Sequence, residues 1–162
     1  MQNNSTTTHT EITLNETLIK LKLDSKLNIV FANDYFTEIS EYEIFEILGK
    51  NIDEIRHPET PKTISNLLWE DLLEQKDTQI IAKFKAKSGA FFWLNVYFKF
   101  ENGFIYINAS KVKSSAKLAL NRLYNTLFNI EQHSEPIVAE NYLEGILEEK
   151  NETYKSFIKL HS

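Results

Sequence analysis

The chain has 162 residues, of which 42% are apolar and 25% charged, with a formal net charge of −5 and no cysteine. That length suits one domain with an appendage, because two full domains would each be marginal. The acidic balance opposes a general affinity for nucleic acid or anionic membranes, and the missing thiol removes disulfides, thiolate metal sites and cysteine nucleophiles.

The first ten residues, MQNNSTTTHT, carry neither a basic nor an apolar region of the kind a signal peptide needs. The most apolar stretch, 91–100, is interrupted by Asn95 and Lys99 and is too short to span a bilayer. A soluble cytoplasmic protein without direct membrane insertion is expected. Residues 1–16 read as a flexible N-terminal segment, with 1–11 polar and low in pattern.

From Thr17 the pattern is extended. Ile19, Leu21 and Leu23 alternate with Leu18, Lys20 and Lys22, the period of a strand, and Asp24-Ser25 turns the chain into a second strand over 27–31. Asn33 or Asp34 caps a helix that carries Phe36 and Ile39 inward. Tyr42, Phe45 and Leu48 then repeat at helical spacing, with Gly49 where that helix would stop. Arg56 to Pro61 must be irregular, because each proline biases its predecessor away from helix.

Thr60-Pro61 reads as a helix start, a capping hydroxyl with proline at the first helical position, and Ile64, Leu67, Leu68 and Leu72 mark one face of the helix that follows. Three antiparallel strands are predicted next, over 78–87, 90–100 and 104–112, turned by Ser88-Gly89 and by the hairpin pair Asn102-Gly103. Ser114 onward reads as two amphipathic helices. Leu120, Leu123, Tyr124, Leu127 and Phe128 form one stripe, and Leu143 to Ile158 form the other. The order is α+β, a five-stranded antiparallel sheet with short helices on one face, over 17–113, and a C-terminal helical extension over 114–162.

The second of these late strands is two-sided. Phe92, Leu94, Val96, Phe98 and Phe100 make one wholly apolar face, while Phe91, Trp93 and Tyr97 put aromatics on the other. A bare solvated face would not carry three aromatics, so a cover is expected: the C-terminal helix, a second copy, or a receptor domain.

This element order, with Ala32-Asn33-Asp34 opening the helices, resembles a PAS domain over residues 17–112. The segment NIDEIRHPETP at 51–61, with Trp69 following, and Ser88-Gly89 through Trp93 sharpen the resemblance toward the sensory domain of Aer-type aerotaxis and energy-taxis receptors. In that family an Arg-His-Pro-Asp-x-Pro segment recurs; here the acidic position is Glu59, and Asp77-Thr78 stands where the family has Pro-Trp. The chain is most similar to the stand-alone PAS half of bipartite energy-taxis systems of campylobacters.

The resemblance implies a redox-sensing PAS fold that holds a flavin, usually FAD. It implies Asn33, Arg56, His57, Trp69 and Trp93 as cofactor-binding residues, and a membrane-bound methyl-accepting chemotaxis receptor as partner, with a homodimer as a further association. His57 is the one histidine inside the PAS segment and would be the axial ligand if the pocket held haem for gas sensing. A ligand-free adaptor, its pocket filled by phenylalanines, is the rival reading. Paired nucleophile and base, a glycine-rich phosphate loop and metal spacing are all missing, so an enzyme is not expected.

Overall fold

Alternation of apolar residues decides the sheet. In the computed structural model, which describes residues 10–162, five strands pair antiparallel in the order β2-β1-β5-β4-β3. They are β1 (Ile19–Leu23), β2 (Ile29–Ala32), β3 (Thr78–Lys85), β4 (Phe91–Glu101) and β5 (Phe104–Ser110). On the inner face Ile19, Leu21 and Leu23 meet Ile105, Ile107, Phe92, Leu94, Val96 and Phe98, all buried. Asn102 and Gly103 both take positive φ, the backbone that a two-residue hairpin between β4 and β5 requires.

Helices α1 (Asp34–Ser40), α2 (Ile44–Ile47) and α3 (Lys62–Leu73), with a 3-10 turn over Ile52–Ile55, lie between β2 and β3 in the chain. Asn33 caps α1: its Oδ1 accepts from the N–H of Phe36 and of Lys20, and its Nδ2 donates to the Leu18 carbonyl. One amide therefore fixes α1 onto β1, and Phe36 and Ile39 are buried beneath it.

Three local readings change. Leu27 takes φ +68, so β2 begins at Ile29 rather than Leu27. Helix α2 is a single turn that buries Ile47, while Phe45 is 77% exposed, so the expected stripe of Tyr42, Phe45 and Leu48 does not form an inward face. One turn is too short to sort side chains by helical period. The second C-terminal helix is divided in two, α5 (Pro136–Glu149) and α6 (Tyr154–Leu160), because Asn151 adopts φ +56 and Thr153 starts a new capping box with Ser156.

Of the segment expected to be flexible, residues 1–9 lie outside the described residues. Thr10 to Ile12 run beside β4, with the Phe91 N–H donating to Thr10 O at 3.0 Å and the Ile12 N–H to Phe91 O at 2.7 Å. The remaining element, α4 (Ser114–His133), lays Leu120 and Leu127, both fully buried, onto the outer face of the sheet, and α6 adds Phe157 and Ile158. The chain's own C-terminal extension covers Trp93, which stacks on Tyr124, whereas Phe91 packs on His57 and Tyr97 remains 45% exposed, so the expected cover is partial.

Candidate functional site

The inner cleft lies between the sheet and the roof made by α3 and the 3-10 turn. Ile52, Arg56, Leu68, Trp69, Ile80 and Phe84 are among its walls. Segment 56–57 is held against the free edge of β3: Arg56 bridges Phe84, and the His57 N–H donates to Lys83 O at 3.2 Å. Proline at 58 and 61 prevents helix here, which leaves the backbone able to pair with a strand edge.

The Arg56 guanidinium closes its own loop. Nε donates to Asp53 Oδ1 at 2.8 Å and Nη1 to the Thr60 carbonyl at 3.3 Å. His57 is 5% exposed, its ring edge-on to Phe91 with centroids 5.8 Å apart, and its Nδ1 accepts from the Glu59 N–H at 3.2 Å. Trp69 is half-buried on the cleft side of α3.

Of the five residues the resemblance singles out, Arg56 and Trp69 share the cleft, whereas His57 is not among its walls and lays its ring on Phe91, on the outer side of the sheet. Asn33 is occupied at the α1 cap. Trp93 is on the opposite face of the sheet, 4% exposed and stacked on Tyr124 with centroids 6.3 Å apart. The strand's alternation places it there, because its neighbours Phe92 and Leu94 point to the inner face.

The cleft itself is nearly filled. Its free volume is about 30 Å³, room for about one water, whereas sites that hold cofactors run to roughly 300–1,000 Å³. Arranged in this way, these side chains do not fit an isoalloxazine or a porphyrin ring. Asp77 and Thr78 bond locally: Asp77 Oδ1 accepts from the Phe100 N–H at 2.9 Å, and Thr78 Oγ1 donates to Asp71 Oδ2 at 2.7 Å.

The outer face is polar where it has to be. Tyr124 Oη donates to the Ile81 carbonyl at 2.7 Å and meets Tyr154 Oη at 3.0 Å. Gln79 Nε2 donates to Asn95 Oδ1 at 2.7 Å and to Ser162 Oγ at 3.0 Å, so buried Asn95 is satisfied beneath α6. Burial pushes both phenols up, Tyr124 well above the ordinary tyrosine value.

One side chain joins the two faces. Glu131, near the end of α4, receives the Lys62 N–H on Oε1 at 2.8 Å and the Thr63 N–H on Oε2 at 3.1 Å. These are the first N–H groups of α3, which has no side-chain cap of its own, since Pro61 stands at the N-cap. Thr60 had been the expected capping hydroxyl. The carboxylate that replaces it comes from 68 residues further along the chain and also complements the helix dipole. A contact over that distance leaves no local sequence signal.

The described residues hold no group of three or more His, Asp or Glu placed to bind a metal ion, and no helix long and apolar enough to cross a membrane. Two strands, a run of short helices and three antiparallel strands, with the cleft between helices and sheet, are the pattern of one fold. The fold is that of a PAS domain.

Among solved structures, the PAS domain is similar to the blue-light photoreceptor Aureochrome1 LOV in its light state, with a TM-score of 0.57, 24% identity, and coverage of 64% of this chain and 89% of that one. It is also similar to a light-oxygen-voltage domain studied with a flavin analogue, with a TM-score of 0.56, 20% identity, and coverage of 66% and 84%. No family model matches the chain.

Curated relatives include the aerotaxis receptor of Escherichia coli (strain K12), 29% identical over 79 residues, 49% of this chain and 16% of the receptor. Phototropin-2 of Oryza sativa subsp. japonica is 38% identical over 65 residues, 40% of this chain and 7% of the relative. The bacterioopsin transcriptional activator of Halobacterium salinarum is 29% identical over 73 residues, 45% of this chain and 11% of the relative. The chain thus spans less than a fifth of each of these relatives, and the likeness to the aerotaxis receptor agrees with the resemblance read from residues 51–61.

Proposed function

We propose that the chain is a sensory relay module of the aerotaxis type, which passes a change at the α3 roof of its cleft to its C-terminal helices and on to a chemotaxis receptor. The observation that carries this reading is the Glu131 carboxylate on the first turn of α3, because α4 then touches the cleft roof and the sheet at once. Any displacement of α3 has to carry α4 with it or expose two N–H donors.

The likeness to the aerotaxis receptor and the Arg56-His57-Pro58 segment favour a redox input through a flavin, FAD in the finer form of the reading, with cytoplasmic localisation. The second reading, a ligand-free adaptor, is favoured by the cleft volume of about 30 Å³. A haem input through His57 would meet the same lack of space.

An absorbance spectrum of freshly purified protein, expressed with riboflavin and haem precursors supplied and then reduced, separates these inputs. Bleachable flavin bands, with FAD in the heat-released supernatant, establish the redox sensor. A protein without chromophore establishes the adaptor. In the flavin case, replacing Arg56 and His57 together should lower flavin content; unchanged content and unchanged taxis would sink their assignment to the site.

A further inference from the structure

A second cavity lies behind the cleft, where α3, β3 and the start of α6 meet. Its free volume is about 230 Å³. An apolar cavity of about 150 Å³ takes a benzene ring, so this one has room for a ring and a short arm. Helical spacing builds its α3 wall: Ile64, Leu67, Leu68 and Asp71 recur at i, i+3, i+4 and i+7, on one face. The apolar stripe therefore ends in a carboxylate. Ile80 of β3 adds an apolar wall. Asn151, at φ +56, turns the chain out of α5, and Thr153, Tyr154 and Lys155 return along the crevice.

The polar end is negative. Glu70 and Asp71 line it against one lysine, Lys155. Asp71 Oδ2 accepts from Thr78 Oγ1 at 2.7 Å and faces Lys155 Nζ at 3.5 Å, while Oδ1 takes no hydrogen bond among the described residues. The Lys155 side chain is 64% exposed, so it is a loose and replaceable partner. Lys76, which also feels Asp71, is paired to Glu74. Glu152, next to the wall residue Thr153, keeps Oε2 buried without a hydrogen-bond partner among the described residues. A buried carboxylate oxygen left unpaired is costly and favours the arrival of a cation.

We propose that this crevice is a binding site for a small primary amine with an apolar, ring-sized body. The ammonium replaces Lys155 on Asp71, and the body lies among Leu67, Leu68 and Ile80. Leu68 and Ile80 are walls of the cleft as well, so an occupied crevice presses on the cleft from behind and gives the relay a second input. That last step rests on the relay reading; the binding does not.

Amide NMR titration of the full chain at fixed ionic strength tests this with three probes of similar size: phenethylamine, phenethyl alcohol and phenylacetate. The amine should shift the amides of Leu67, Asp71, Thr78 and Lys155 saturably and move the Trp69 indole in the cleft. It should bind at least about tenfold tighter than the alcohol or the acid, the worth of one charge-assisted hydrogen bond. Asp71→Asn, which keeps a side-chain oxygen for Thr78, should erase that preference. Lys155→Met removes the competing cation and keeps the stem, and should tighten amine binding by about two- to fivefold, the range of an exposed ion pair. Shifts that never saturate, equal affinity for the three probes, or amine binding untouched by Asp71→Asn overturn the site. Weaker binding in Lys155→Met overturns the placing of the ammonium on Asp71. Saturable binding that leaves the Trp69 indole unmoved overturns only the coupling to the cleft, so the site and the relay reading fail separately.

Discussion

The two faces of this one sheet are built by different rules. The inner face of the sheet is filled by volume: Ile80, Ala82, Phe84 and Phe98 wall the cleft, whose free volume is about 30 Å³, and Phe92 and Val96 are buried on the same face. The outer face is specified by direction: Tyr124 to Ile81, Gln79 to Asn95 and Ser162, and Trp93 stacked on Tyr124. An apolar filling tolerates re-packing and so can yield to a ligand, whereas a hydrogen-bonded cover moves as a unit. That asymmetry suits a domain that receives a change on one side and hands it to helices on the other.

The largest expected effect comes from breaking the inner face. Phe92→Ala removes a fully buried ring and should destabilise the fold by about 3–5 kcal/mol, read from the denaturant midpoint. An effect near zero would mean that the cleft collapses freely around the gap. On the outer face, Tyr124→Phe keeps the ring and its stacking but deletes the hydroxyl that holds Ile81 O and Tyr154 Oη. The expected cost is about 1–3 kcal/mol, from the partner left unsatisfied. An equal loss with Tyr154→Phe would mark the two phenols as one unit.

The joint between the faces is smaller in energy and sharper in consequence. Glu131→Ala should cost about 0.5–2 kcal/mol, the range for a lost N-cap. The diagnostic readout is hydrogen exchange: the Lys62 and Thr63 amides should lose protection, and the α4 amides around residue 131 should follow. Loss confined to α3 would separate the roof from the relay and refute the coupling.

The smallest effect at neutral pH appears only in alkali. The folded state holds the Tyr124 and Tyr154 phenols neutral and raises both above the ordinary value, whereas the unfolded chain loses those protons near about pH 10. The folded form then binds more protons, so the contribution is complete below about pH 10 and declines as pH rises beyond it. Near-ultraviolet circular dichroism should follow the outer face loosening first, and Tyr124→Phe should shift that onset.

Much of this architecture was legible before any coordinates. The alternation of Ile19, Leu21 and Leu23, the Asn33 cap, the Asn102-Gly103 hairpin and the two-sided strand around Trp93 are local patterns, and local patterns act through backbone geometry alone. The resemblance at residues 51–61 likewise pointed to the PAS fold. Where the period had a single turn to act on, as at Phe45, or one unusual φ to break it, as at Asn151, the pattern misled.

Tertiary structure alone decided the rest, because it depends on which surfaces meet. Trp69 and Trp93 look alike in sequence, yet one borders the cleft and the other lies under α4. That Glu131 rather than Thr60 would cap α3 depends on where the end of α4 lies in space. A side chain's type is fixed by the sequence; its partner, when tens of residues away, is set by how the chain closes on itself, and here that closure ties the cleft to its cover.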